Sequence, residues 1–387
     1  MLSKLFNDKS TIMRRGIILL LGIGFFVFLY LFNQGDRPEL VNKKGTSFDK
    51  AVVEEVIKDN LQEDGSRVGN QIVKIKLLSG ELKGESIEAT SFSGYLYGAD
   101  CKEGMKVVVS TSISGDKTVA SVYANDREPI IYLFVALFLI MIWAIGGKKG
   151  LKSVLGLIFT FICIIFIFIP MLFKGYSAFF SAVVIVILIT IVTMYLIGGN
   201  SVKTLSAILG TVLGVIISGV FAFGFGYFAN ISGNNVADIE ELVFIASQSE
   251  LKIGGILFAG ILIASLGAVM DVSMSVASTI NEIYDKNPSL SKNELFKSGI
   301  NVGRDMMGTM SNTLILAFTG GSLNTLVLIY AYNMQYNQVI NMYSIGIEIM
   351  QGVSGSIGVI LTVPLVSFIA SRLLASKRIK ASVKENQ

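Results

Sequence analysis

Between Ile253 and Met270 the chain carries no charged residue, and Asp271 follows directly. The surrounding stretch, Lys252 to Tyr284, reads KIGGILFAGILIASLGAVMDVSMSVASTINEIY. Its apolar part matches a bilayer, which takes about 20 helical residues to cross. The residues after it narrow the possibilities. Asp271, Ser275, Ser278 and Glu282 are spaced 4, 3 and 4, so on a helix they share one face. A carboxylate in a membrane segment costs about 2.5–3.5 kcal/mol on insertion scales and normally faces a bundle interior or a water-filled path. Two readings of the stripe stay open: helix packing with a cytoplasmic exit, or an ion or substrate path.

The rest of the chain has a matching composition. Of 387 residues, 52% are hydrophobic and 16% charged, and the mean hydropathy of +0.66 is that of a polytopic membrane protein. The net charge of +4 is small, and the basic residues fall at segment ends. They report orientation in a bilayer, and no nucleic-acid partner is expected. The chain has no histidine, which removes histidine bases, metal sites and pH switching. The two cysteines, Cys101 and Cys163, lie in different settings, so neither a disulfide nor a metal site is expected. Cys101, if exposed in its fold, would react with a reagent from outside. No cofactor is called for.

Lys4, Lys9, Arg14 and Arg15 precede an apolar run from Gly16 to Phe32. No small-residue cleavage site follows in FNQGDRPEL, so this reads as an uncleaved anchor with its N-terminus inside. Residues 34–128 then turn polar and hold short alternating runs: AVVEEVI, QIVKIKLL, ESIEAT, MKVVVST and KTVASVY. Turn signals such as EDGS, SGELKG and SGDK separate them, and QIVKIKLLSGELKGESIEAT predicts a hairpin. The pattern predicts a small five-stranded barrel or sandwich, plausibly of OB type. No nucleophile, paired acid or metal cluster stands out in it. It lacks the basic–aromatic interleaving of a nucleic-acid binder, which leaves a structural or partner-docking module.

From Ile130 onward, helices are predicted at about 130–146, 152–170, 177–197, 204–228, 253–283, 307–330 and 350–375. With the anchor that makes eight. Lys148, Lys149, Lys152, Lys203, Lys286, Lys292, Lys297 and Arg304 fall on one side, as do Arg372, Lys377, Arg378, Lys380 and Lys384. The opposite loops hold only Lys174 and Lys252, together with the acidic Asp238, Glu240, Glu241 and Glu250. By the positive-inside rule both termini are cytoplasmic and the β domain is extracytoplasmic. The expected fold class is a mainly α polytopic bundle of about eight transmembrane helices with an inserted small all-β, OB-like domain. The expected division is 1–33 for tail and anchor, 34–128 for the β domain, 129–376 for seven helices and 377–387 for a basic tail.

Gly210, Gly214, Ser218, Ala222 and Gly226 recur every fourth residue, a small-residue ridge that lets another helix approach closely. Gly260, Ala264 and Ala268 form a similar ridge on the helix that carries Asp271, and Pro364 is expected to kink the last helix unless a neighbour satisfies the freed carbonyl. The helix beginning NVGRDMMGTMSNTLILAFTGG places Arg304 at its cytoplasmic mouth and Thr309, Asn312 and Thr313 one to two turns in. A short link would let Asp271 meet Asn312 or Thr313, and Glu282 meet Arg304. The bland readings are an interfacial ion pair and inter-helix hydrogen bonding.

These residues also carry a resemblance. EPIIYLFVALFLIMIWAIGGKKGLKSVLGLIFTF, Ile169–Pro170, KTLSAILGTVLGV, GAVMDVSMSVASTINEI and VGRDMMGTMSNTLILAFTGG resemble the YibE/F family of bacterial multipass membrane proteins over most of the region after residue 128. The resemblance implies a bacterial cell membrane location and supplies no reaction. A fainter likeness covers about residues 253–370. There the order of a membrane Asp, a link arginine, a Thr-rich helix, a Gly pair and a final helix is similar to the membrane half of proton-driven protein-export and RND-type proteins. It implies Asp271 as a proton-path group, Arg304 as the link arginine and Thr309 and Thr313 as the threonines after it. This chain holds just one such half, which would suit a homo-oligomer or a sister membrane protein of the same family as partner.

Three functions compete: an ion-coupled transporter or export component, a membrane scaffold whose β domain docks partners, and an intramembrane enzyme. The enzyme is weakest. There is no HExxH, no histidine to serve a serine nucleophile and one embedded Asp where an aspartyl dyad needs two.

Overall fold

The computed structural model describes residues 9–34, 45–92, 97–114 and 117–385. Of the basic residues at both ends on which part of the orientation rests, Lys4 lies outside the described residues, and the description of Lys9, Arg14, Arg15 and Lys377 to Lys384 is limited to their backbone. The chain divides into two units: Glu39–Ala144, and Met1–Pro38 with Ile145–Gln387.

The first unit is built on five strands: β1 (Thr46–Lys58), β2 (Asn70–Leu77), β3 (Ser86–Phe92), β4 (Lys106–Ser114) and β5 (Lys117–Asn125). They close into a barrel in the order β1-β2-β3-β5-β4, parallel between β3 and β5 and antiparallel elsewhere. The alternating pattern explains why. Ala51 and Val53, Val73, Ile75 and Leu77, Val107 and Val109, and Ala120 and Val122 sit two residues apart and all point inward. β1 pairs with both β2 and β4, and two register shifts after Val53 and Val56 bend it to serve both neighbours. Cys101 is buried against this core, and the loss of solvent pushes its thiol pKa up. The anticipated labelling of Cys101 is therefore disfavoured. Arg67 donates to Asp59 (2.7 Å) and Gln71 donates to the same oxygen (2.8 Å), which ties the β1–β2 connection to the barrel. Lys50 of β1 pairs with Asp126 (3.7 Å) and with Glu128, the first residue of the next helix.

That helix, α2 (Glu128–Cys163), continues through a π-turn (Ile164–Phe168) into α3 (Ile169–Phe173). The apolar stretch is 46 residues long, about 69 Å at 1.5 Å per residue. One crossing needs about 30 Å. The backbone leaves the helical region at Gly147 (φ 53°, ψ −131°), a conformation that glycine takes readily. Pro170 then has no N–H to offer the carbonyl four residues back, Phe166. Asn33, just past α1 (Lys9–Phe32), donates its Nδ2 to that oxygen at 2.9 Å. Lys174 donates in turn to the Phe32 carbonyl (2.6 Å).

The remaining helices are α4 (Ala178–Gly198), α5 (Val202–Ala229), α6 (Ile239–Ser247), α7 (Ile256–Lys286), α8 (Lys292–Gly321), α9 (Leu323–Ala331), α10 (Tyr336–Ile340) and α11 (Tyr343–Glu385). Among the described residues, five helical stretches are long and apolar enough to cross a membrane, and α8 with α9, bent by 60°, makes a sixth. Two starts differ from the sequence expectation. α8 begins at Lys292, not near 307, because Ser291 and Glu294 form a reciprocal capping box that outweighs the polar first turns. α11 begins at Tyr343, not near 350, and runs unbroken past Pro364.

The core of this unit gathers α4, α5, α7, α8 and α11 around Ile185, Ile189, Leu262, Val269, Val359, Val363 and Val366. The α5 ridge sits inside it. A Cβ on Gly210 would overlap Val366, and one on Gly214 would overlap Thr362 and lie 3.0 Å from Val269. Gly226 abuts Phe258, and Ser218 meets Gly358. The ridge therefore packs on α7 and α11. The second ridge behaves otherwise: Gly260 and Ala264 are exposed. α8 brings a closer approach of its own, with Gly299 against Ser367 and Ile280, and Gly303 against Val363.

Gly214→Leu should destabilise the bundle by at least about 1–3 kcal/mol through overpacking. A lower midpoint in thermal unfolding of the purified protein would register it, and an unchanged midpoint would mean the ridge is not a contact. A second expectation concerns the barrel. Hydrogen bonds from Gln71, then Arg67 and the Asn60 amide, hold the Asp59 carboxyl pKa below its ordinary value. A depressed folded-state pKa contributes stability above the unfolded value of about 3.9 and loses it as pH falls through the folded one. Residues 36–127 expressed alone should give a β-rich fold whose melting temperature drops over that acid range. Asp59→Asn should flatten the drop; an equally steep profile would exclude Asp59 as its source.

Candidate functional site

The residues of α7 fall into two sets by burial. Val269, Val272, Ser273, Val276, Ala277 and Ile280 are buried against the bundle. Gly260, Ala264, Gly267, Asp271 and Glu282 are exposed, with Ser275 and Ser278 half-buried beside them. The 4, 3, 4 spacing thus does mark one face, and in the single chain that face is open. Asp271 stands fifteen residues into α7, about 22 Å along its axis. Among the described residues, no hydrogen bond or ion pair engages its carboxylate. Ser273, on the opposite face, is buried with its hydroxyl unpartnered.

α8 shows the same division. Leu295, Gly299, Gly303 and Leu314 are buried, whereas Arg304, Thr309, Asn312 and Thr313 are exposed. Both threonines donate back to their own helix, Thr309 to the Met306 carbonyl (3.0 Å) and Thr313 to the Thr309 carbonyl (2.9 Å). The structure brings neither Asn312 nor Thr313 into hydrogen bonding with Asp271. Glu282 pairs with Lys286 one turn on (3.9 Å), not with Arg304. Such an exposed pair contributes at most a few tenths of a kcal/mol. Of the packing residues, Gly210, Gly214, Ser218 and Gly226 are all buried. Among the described residues no group of acidic or cysteine side chains is arranged to hold a metal.

A polar cavity lies elsewhere, where α8 breaks into α9. It encloses about 340 Å³ and is lined by Gly321, Ser322, Thr325, Glu348 and Gln351, together with residues from Asn235 to Ala237 and Leu257. An apolar groove of about 250 Å³, lined by Ile315, Phe318, Leu326, Ile349 and Val353, shares Ser322, Ile345 and Glu348 with it. Asp271 lines neither. Glu348 precedes residue 350, where the sequence expectation starts the last helix, so helix-by-helix reading of the sequence does not reach it. A carboxylate in the apolar context SIGIEIM, and the Gly320–Gly321 pair inside an apolar helix, were the available signals.

A family model described as YibE/F-like protein matches residues 134–376, more than half of the chain. No curated protein and no solved structure matches it.

Proposed function

We propose that this chain, which belongs to the YibE/F-like protein family, is an ion- or proton-coupled transporter or export component that uses Asp271. The observation that carries the reading is the position of that residue. It lies within an apolar, membrane-length helix, about 22 Å from the start of α7, with no hydrogen-bond or ion-pair partner among the described residues. A carboxylate so placed is disfavoured by lipid and needs water or another protein surface. The open faces of α7 and α8 carry Ser275, Ser278 and Glu282, and Arg304, Thr309, Asn312 and Thr313. They are suited to a second copy or a sister membrane protein that would enclose a polar path. The reading involves no enzymatic step.

The topology proposed with it has eight spans, in a bacterial cell membrane, with both termini cytoplasmic. The 46-residue stretch supplies two of them, divided at Gly147, and α1 and the bent α8–α9 pair complete the number. Residues 34–128 lie outside as an OB-type barrel, a type favoured by its strand order. A second reading, a scaffold whose barrel docks partners, has one observation in its favour. Phe48, Tyr97 and Tyr123 are exposed and in contact, with ring centroids 5.2 and 5.9 Å apart, the residue type enriched at protein interfaces.

Asp271→Asn preserves shape, so it should leave protein levels unchanged and abolish complementation of a deletion strain, with Asp271→Glu retaining part. Full rescue by Asp271→Asn would remove the charge from the function and leave the docking reading. For topology, Cys101 and Cys163 are both buried and can stay in place. Val68→Cys, at an exposed barrel position, should react with an impermeant maleimide in intact cells. Ser289→Cys, in the α7–α8 connection, should react only after permeabilisation. The reverse pattern would invert the proposed orientation.

A further inference from the structure

The break between α8 and α9 leaves a space that the packing of the bundle does not explain. Its polar side is the cavity of about 340 Å³, and one carboxylate, Glu348, is the only charged residue among those that line it. Ser322 is buried and donates its hydroxyl to the Phe318 carbonyl (3.2 Å), so the lone pairs of its oxygen remain free to accept. Thr325 and Gln351 add further oxygens, and no hydrogen bond or ion pair among the described residues engages either of them or Glu348. An uncompensated carboxylate among neutral oxygens, with no lysine or arginine at the wall, selects a cation. One carboxylate suits a single positive charge; divalent ions draw on several.

The apolar groove decides the kind of cation. It abuts the polar cavity and shares Glu348, Ser322 and Ile345 with it, so Glu348 stands where the polar and apolar walls meet. A bare alkali ion would leave the groove unused, and an apolar ligand would leave the carboxylate unpaired. Phe318 in the groove adds an aromatic surface, which favours an ammonium group. We infer that the cavity and groove together bind a monovalent organic cation with an apolar substituent, its charge at Glu348 and its substituent along the groove. The site is independent of any role for Asp271, which lies fourteen residues beyond the cavity residue Leu257 on α7, about 21 Å along the helix.

The test is equilibrium binding of radiolabelled tetraphenylphosphonium to the purified full chain in nanodiscs, with empty nanodiscs subtracted. A neutral aromatic probe of similar size and sodium ion serve as competitors. The wild type should bind the cation, and millimolar sodium should not displace it. Glu348→Gln should weaken the cation by about tenfold or more while leaving the neutral probe unchanged. Val353→Trp, which fills the groove from an exposed position, should weaken both. Asp271→Asn should bind as the wild type does. Undiminished cation binding by Glu348→Gln, with elution and melting like the wild type, would overturn the inference. So would displacement by sodium with no effect of Val353→Trp, which would assign the cavity to an alkali ion.

Discussion

The backbone of α5 comes close to α7 and α11 because glycine leaves no side chain between them. In a membrane, lipid tails are as apolar as leucine, so helix association depends on van der Waals contact and interhelical hydrogen bonds rather than on exclusion of water. Gly210 against Val366, Gly214 against Thr362 and Gly226 against Phe258 supply such contact along one side of α5. Gly299 and Gly303 do the same for α8 against Ser367 and Val363. α11 receives Gly210, Gly214, Gly299 and Gly303, so it is where the other helices converge. Once α7 and α8 have turned their small or apolar sides to α11, their polar sides have nowhere to go but outward.

Much of this architecture is legible in the sequence, and the physical reason differs by element. The five strands follow from period-2 alternation such as QIVKIKL, which has no competing helical pattern. The α5 ridge follows from fourfold spacing of small residues. The same criterion misleads at Gly260 and Ala264, because small residues permit close approach without supplying a partner. The start of α8 is hidden because hydropathy marks membrane depth, not helix onset. The capping box at Ser291 and Glu294 states the onset, and it lies well before the apolar part. The spacing of Asp271, Ser275, Ser278 and Glu282 fixes a common face, but spacing carries no information about what that face meets. Glu282 finds Lys286 on its own helix, and among the described residues Asp271 finds no hydrogen-bond or ion-pair partner. Cys101 sits in a polar loop by sequence and is nevertheless buried, because that loop folds back through the amide of Gln71, whose side chain accepts the Cys101 N–H at 2.8 Å.

Two polar places result, and they differ in kind. The face around Asp271 is open in the single chain, and it belongs to helices whose opposite sides are buried in the bundle. The space around Glu348 is concave and is bounded by a helix that bends by 60° at a Gly–Gly–Ser sequence. Broken helices occur at membrane depth where they line cavities, since the freed backbone groups then meet water or ligand in place of lipid. The first place suits an interface between proteins, the second a small molecule.

The bond from Asn33 to the Phe166 carbonyl has a consequence for biosynthesis. A chain made from its N-terminus completes α1 long before residue 166 exists, with the whole barrel sequence translated in between. When the proline turn at Ile169–Pro170 finally enters, the donor for its exposed carbonyl is already waiting at the end of the first helix. The first helix must then stay near the insertion site, or return to it, until the third arrives. Removing that helix afterwards would strip a donor from the carbonyl that Pro170, having no N–H, leaves without its usual helical partner.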